Sequence, residues 1–298
     1  METLATTPPQ SYTLDEAFAY CRRMAQEHYE NFPVGSLLIP RAMRPHVHAI
    51  YAFARTADDY ADEAAYAGER LDLLDDWERQ LEACYRGQAT HPVFVALGET
   101  ARCFDIPSGP FKALLHGFRM DVSVKRYPDL ERVLYYCQHS ANPIGQLVLY
   151  LFGYRDPELH HLSDCVCTAL QLTNFWQDVA IDLEKDRIYI PQSDMEAFGY
   201  SEEDLLAHRH DDAFRRLLRR EIQHTRKLFA EGWPLLRRVR GMLSLELRLT
   251  WFGGVRILER IEQVDCDVFQ RRPTLSTFDK GLILLRALVR RSEEPRLK

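Results

Sequence analysis

Apolar residues recur along almost the whole of this chain at intervals of three and four, and no stretch alternates strictly between apolar and polar side chains. β-Branched residues are nowhere concentrated. This pattern leaves no material for a sheet, so an all-α fold is expected. With 298 residues, 46% of them hydrophobic, the chain can bury one sizeable core. No Gly/Ser-rich linker, repeat or low-complexity block divides it, and residues 13–298 are read as a single domain.

The helices can be placed from their start and stop signals. Residues 1–12 are polar and carry Pro8-Pro9, which reads as a mobile tail. Thr13, with Glu16 three residues on, is an N-cap for a helix through Leu14, Ala17, Phe18, Cys21 and Met24 to about Tyr29. Asn31-Phe32-Pro33 interrupts that pattern, and Pro45 opens a second, mostly apolar helix that runs past Asp62. Further helices are expected over 71–85, 91–104, 109–124, 129–151, 157–182, 204–219 or beyond, 235–262 and 278–291.

Composition excludes several classes. A net charge of -6 offers no global basic field for nucleic acid. The longest uninterrupted apolar run, Leu147 to Phe152, falls far short of a membrane span. No signal peptide is read at the N-terminus, so a cytoplasmic location is expected. Seven scattered cysteines suit neither a disulfide framework nor paired zinc spacing and read as buried reduced thiols. His46, His48, His160, His161, His208 and His210 lack the spacing of a zinc helix and read as exposed or capping groups. Charge is unevenly placed. Asp58 to Glu82 holds ten acids against two Arg, and Arg215 to Arg240 holds nine basic residues against two Glu. Both read first as solvated helix faces, with peripheral membrane docking as the alternative for the basic one.

Two segments place carboxylates on otherwise apolar helices. In the first, Arg55, Asp58 and Asp62 share a face; in the second, Gln171, Asp178 and Asp182 lie close to one line at 100° per residue, with Asn174 on its flank. Either acid pair alone reads most simply as a solvated face. Their neighbours are Ala, Ile, Phe, Trp and Val rather than Lys and Arg, which leaves these acids few local partners. Two such ladders would repel in a low-dielectric cavity unless divalent cations joined them. Hard oxygen donors suit Mg²⁺, which links carboxylates to substrate phosphates. No phosphate-cradling Gly-rich loop is present. An allylic diphosphate with a long hydrocarbon tail therefore suits the chain better than a nucleotide.

The segments YAFARTADDYADE (from Tyr51), YCQHSANPIG (Tyr136 to Gly145) and QLTNFWQDVAIDLEKDRIYIP (Gln171 to Pro191) resemble the three signatures of the squalene/phytoene synthase family, over roughly residues 29–280. The resemblance implies an all-α isoprenoid-synthase fold with a central cavity, Mg²⁺ dependence, and head-to-head handling of prenyl diphosphates. By position it implies metal ligands at Asp58, Asp62, Asp178 and Asp182. It implies substrate or diphosphate contacts at Phe32, Tyr51, Arg55, Gln171, Asn174, Arg272 and Lys280, with Arg271 competing for the role of Arg272. Tyr136 matches the central-cavity Tyr, a proton relay or cation-stabilising group; spacing alone reads it equally as a core Tyr. Trp176 reads as a cavity wall. Arg187 and Tyr189 follow in a loop that either closes over diphosphate or lies on the surface.

ENFPVGSLLIP (Glu30 to Pro40) and Ser140-Ala-Asn142-Pro143 look most like the bacterial hydroxysqualene synthase branch. That likeness implies ionisation of presqualene diphosphate and capture of the rearranged cation by water, a carbon–oxygen lyase step on the route to squalene and hopanoids. Ser140 and Asn142 are candidates for placing that water. The sister-branch alternative is a prenyltransferase that condenses two prenyl diphosphates, giving presqualene diphosphate or dehydrosqualene from two farnesyl diphosphates, or phytoene. A non-catalytic helical scaffold is the alternative of another class. No nicotinamide cofactor is expected. Contacts with pathway enzymes and the inner membrane face are further expected partners.

Overall fold

The computed structural model describes residues 12–27 and 39–289. Phe32, the 1–12 tail up to residue 11, and most of the segment from Glu30 to Pro40 lie outside the described residues. Fifteen α-helices and two short 3₁₀ turns account for the regular structure, and no strand occurs among the described residues, only an isolated pairing of Arg126 with Ile188. The all-α expectation holds. The chain forms two compact units, the first up to Val122 and the second from Ser123.

The first unit contains α1 (Leu14–Glu27), α2 (Arg44–Asp62), α3 (Arg70–Tyr85), α4 (Pro92–Phe104) and α5 (Gly109–Ser123). Thr13 caps α1 as its spacing predicts: its N–H donates to Glu16 Oε2 at 2.9 Å, and the Glu16 N–H donates back to its hydroxyl at 3.3 Å. Pro45 sits in the first turn of α2, where a missing N–H costs nothing. α1 packs on α2 and α4, and α2 packs on α3. Their core is aromatic: the Phe53 ring meets those of Trp77, Phe94 and Phe111 at 5.2–6.2 Å, and the buried Trp77 N–H donates to the Phe53 carbonyl at 3.2 Å.

The second unit contains α6 (Leu130–Ser140), α7 (Asn142–Leu151), α8 (Pro157–Gln177), α9 (Val179–Glu184), α10 (Gln192–Ala197), α11 (Glu202–Leu206), α12 (Asp212–Gly232), α13 (Leu235–Arg238), α14 (Gly241–Gln263) and α15 (Thr277–Val289). α8 is its axis, packed against α6, α7, α12 and α14. Gly145 of α7 allows one of the close approaches, since a β-carbon there would meet Cys167 Sγ and Ser163 Oγ at 2.5 Å. Trp176 is fully buried and donates to Thr225 Oγ1 of α12 at 2.8 Å, so it belongs to the α8–α12 core.

Four expected helices are divided, the 204–219 one into α11 and α12 across residues 207–211. The 129–151 helix breaks at Ala141 because Pro143 lacks an N–H and its ring opposes the preceding turn. The 157–182 helix bends at Asp178 (φ -107°, ψ 16°), with the Asp178 N–H to Asn174 O and the Asp182 N–H to Asp178 O bonds, both 2.9 Å, kept on either side. The 235–262 helix restarts at Gly241, whose φ of +65° is a conformation that glycine adopts at no steric cost. α10 was not expected; it is too short to show a period.

The basic stretch 215–240 is less solvated than its composition suggests. Arg215 and Arg219 pair with Asp265, Arg226 pairs with Glu262 at 2.6 Å, and Arg238 pairs with Asp156 and Glu158. Among the described residues no helix is long and apolar enough to cross a membrane.

Candidate active site

In the first unit α2 buries Ala49, Ile50, Phe53, Ala57 and Ala61. At 100° per residue Tyr51, Arg55, Asp58 and Asp62 fall within about 60° of one another on the opposite face. The helix period thus separates core from carboxylates without any tertiary help. Tyr51, Arg55 and Asp58 are half-buried and Asp62 is exposed. Arg55 holds this face together: its Nη1 lies 3.2 Å from Asp58 Oδ2, and its Nη2 lies 2.5 Å from Asp59 Oδ1 and 3.8 Å from Glu63. Asp59 was not singled out from sequence, because its position is off the ladder. Burial raises the Tyr51 hydroxyl pKa above its usual range, and the cation of Arg55 opposes that rise.

In the second unit the carboxylates of Asp178 and Asp182 stand one turn apart around the bend. Arg272 grips Asp178 with both arms of its guanidinium, Nε to Oδ1 at 2.5 Å and Nη2 to Oδ2 at 3.0 Å. The Asn174 amide donates to the same Oδ2 at 2.7 Å. Asp182 is pushed up to about 7, first by burial and then by the neighbouring charge of Asp178. Two carboxylates stand at this corner, and one of them is destabilised as an anion, which is the environment a divalent cation relieves.

Arg272, rather than Arg271, therefore reaches the acidic motif. What places it is Gln177, a buried residue whose amide donates to the Pro273 carbonyl at 2.5 Å and fastens the 272–273 segment to the end of α8. Sequence reading passed over Gln177 because a buried amide at a helix end carries no periodic signal. Lys280 is exposed on α15, and no side-chain bond from it to either motif occurs among the described interactions. Its neighbour Asp279 is fully buried and bound by Arg256, Arg260 and Ser276.

Tyr136 is buried in an aromatic cluster of the second unit. Its ring lies 5.7 Å from Tyr127, 6.1 Å from Phe175 and 5.8 Å from Tyr189, and Phe175 and Tyr189 stack at 3.7 Å. Tyr127 was missed and Tyr189 is no surface residue. Pairing fixes both in place: Ile188 N–H donates to Lys125 O, Gln192 N–H donates to Tyr127 O, and Arg126 pairs with Asp186 and Glu202. Phe175, Val179, Asp182, Arg187, Ile188 and Tyr189 line a narrow cleft beside the acidic corner. The Ser140 hydroxyl donates to the Tyr136 carbonyl at 3.0 Å. Asn142 is buried, with its Oδ1 accepting from Thr168 at 2.8 Å. Gln171 is half-buried on α8, one turn before Asn174.

Comparison with known proteins decides the family. The squalene/phytoene synthase family model matches residues 25–279. The chain belongs to the squalene/phytoene synthase family. Curated relatives include the phytoene synthase of Arthrospira platensis, 30% identical with 93% of this chain and 94% of the relative covered. Another is the 15-cis-phytoene synthase of Synechocystis, 33% identical with 91% and 84% covered. Among solved structures, the squalene synthase HpnC of Alicyclobacillus acidocaldarius superposes with a TM-score of 0.82 at 41% identity, covering 85% of this chain and 95% of that one. A dehydrosqualene synthase, 24% identical over 92% and 96%, shares the fold with a TM-score of 0.80. Family members are prenyl-diphosphate-processing synthases that use a divalent metal with diphosphate substrates.

Proposed function

We propose that this family member ionises presqualene diphosphate and delivers water to the rearranged cation, giving hydroxysqualene and diphosphate. The observation that carries this reading is the 41% identity to squalene synthase HpnC, against 30–33% to the phytoene synthases. Residues 13–298 are proposed to act as one catalytic domain, peripheral to the inner membrane face. All four ladder aspartates are present, which argues against a scaffold relieved of chemistry.

In this reading Asp58, Asp62, Asp178 and Asp182 hold Mg²⁺. The bound cation would neutralise the diphosphate as its C–O bond breaks. Arg55 and Arg272, now paired with Asp58, Asp59 and Asp178, are positioned to turn toward the departing anion. Tyr51, Gln171, Asn174 and Lys280 bind the substrate. The aromatic faces of Tyr136 and Tyr189 stabilise the carbocation without offering it a nucleophile. Water adds its oxygen to the cation and gives up one proton, so presqualene diphosphate and water are converted to alcohol, diphosphate and a proton. Ser140 and Asn142 are proposed to hold that water; no nicotinamide is consumed.

Phytoene synthases among the curated relatives support a second reading, condensation of two prenyl diphosphates. Supplying presqualene diphosphate, farnesyl diphosphate and geranylgeranyl diphosphate separately, with products identified by mass spectrometry, separates the two. Hydroxysqualene from presqualene diphosphate is expected. A C30 or C40 hydrocarbon or presqualene diphosphate from allylic substrate alone, with presqualene diphosphate left intact, would overturn the first reading.

A further inference from the structure

Away from the acidic corner, α8 and α12 bring together three different metal-binding side chains. His161 and Cys165 stand one turn apart on α8, and Glu231 comes from the last turn of α12. His161 Nε2 lies 3.3 Å from Glu231 Oε1 and 4.0 Å from Cys165 Sγ, and the three ligand atoms all lie within 4.8 Å of one another. On a tetrahedral Zn²⁺, nitrogen and oxygen donors stand roughly 3.3 Å apart and nitrogen and sulfur roughly 3.6 Å apart. The observed spacing already approaches that, and the side chains of His161 and Glu231 are exposed enough to adjust.

A second feature explains why these groups meet. Gly232, next to Glu231, sits against α8 so closely that a β-carbon there would meet Val166 Cγ2 at 2.5 Å and the Leu162 carbonyl at 3.0 Å. The two backbones touch at this level, and Glu231 is carried across onto the His161–Cys165 face.

We propose that His161, Cys165 and Glu231 form a binding site for one thiophilic divalent cation, Zn²⁺, with a fourth position open to water. Binding breaks the S–H bond of Cys165, forms a metal–sulfur bond and releases the proton to solvent. One thiolate, one carboxylate and one neutral imidazole then balance the charge of the cation, which suits a site with a buried sulfur. Burial, and next to it Glu231, hold the free thiol up to about 12, so the thiolate exists only with the cation bound. The cation pins the N-terminal half of α8, the helix that ends at Asn174 and Asp178, to α12.

The test is Co²⁺ titration of the tag-free, reduced full-length protein in excess Mg²⁺, followed by its thiolate-to-cobalt charge-transfer absorption. The expected result is one equivalent of Co²⁺ bound with that band and displaced by Zn²⁺. Cys165→Ser should abolish the band, and Glu231→Gln and His161→Gln should weaken binding at least tenfold. In parallel, Zn²⁺ should raise the thermal midpoint of the wild type but not that of His161→Gln, an exposed substitution with little reason to disturb folding. Absence of the band in the wild type, or its persistence in Cys165→Ser, would overturn the proposal.

Discussion

At the scale of single residues, the acidic corner of the second unit illustrates how one group governs another. Asp178 is held by Arg272 and Asn174, while Asp182, buried beside it, is driven toward its neutral form. Losing the charge of Asp178 would remove one of the proposed metal ligands and the carboxylate that Arg272 grips. Asp178→Asn and Asp58→Asn should each lower turnover by at least a thousandfold, measured with purified protein and saturating Mg²⁺; near-wild-type turnover in either would sink the ligand assignment. For water placement the relevant readout is the product ratio. Ser140→Ala/Asn142→Gly should shift product from alcohol toward hydrocarbon, and an unchanged ratio would remove those residues from that role. Asp58, Asp62, Asp178 and Asp182 were all legible in the sequence because they sit on short-range helical spacing. Gln177, Tyr127 and Asp59 were not, since their roles depend on partners that only folding or an off-ladder side chain supplies.

At the scale of elements, α12 and α15 each contain a buried carboxyl, and the two titrate in opposite senses. Glu221, in the middle of α12, is fully buried and pushed up to about 9, first by burial and then by the neighbouring carboxyl of Asp194 of α10. Its folded form retains a proton that the unfolded chain loses near pH 4.5, so stability should fall as pH rises from about 5 to 9. Glu221→Gln should flatten that slope and raise the midpoint at pH 8, as followed by thermal denaturation across pH; an unchanged slope would show that the group does not titrate in this way. Asp279, at the start of α15, also suffers from burial, but hydrogen bonds from Ser276, Arg260 and Arg256 outweigh it and hold its carboxyl well below the usual range. Its contribution is present above about pH 4 and lost below. Asp279→Asn leaves two arginines facing a neutral partner and should cost on the order of 3 kcal/mol in urea denaturation at pH 7. A change below about 1 kcal/mol would mean that Arg256 and Arg260 find other partners. Sequence reading located both helices but not these carboxyls, because a single acid within a helix gives no sign of what will cover it.

At the scale of the whole molecule, the proposed metal dependence makes the same demand of both acidic faces. Extensive treatment with a chelator should abolish turnover of prenyl diphosphate, and added Mg²⁺ should restore it. Restoration should also require both Asp58 and Asp178 to be intact. Activity surviving the chelator would reject the carboxylate ladders as metal ligands. The net charge of -6 does not oppose an anionic substrate, since the charge that matters is local and would be offset by the proposed cation. By itself the sequence determined the all-α architecture, the helix starts at Thr13 and Pro45, and the two carboxylate ladders, because helical periodicity and capping act over four or five residues. Tertiary structure alone decided the bend at Asp178, the choice of Arg272 over Arg271, the aromatic setting of Tyr136 and the meeting of His161 and Cys165 with Glu231. Each of these joins residues far apart in the chain or depends on what packs around them, and neither separation nor burial is encoded in local spacing.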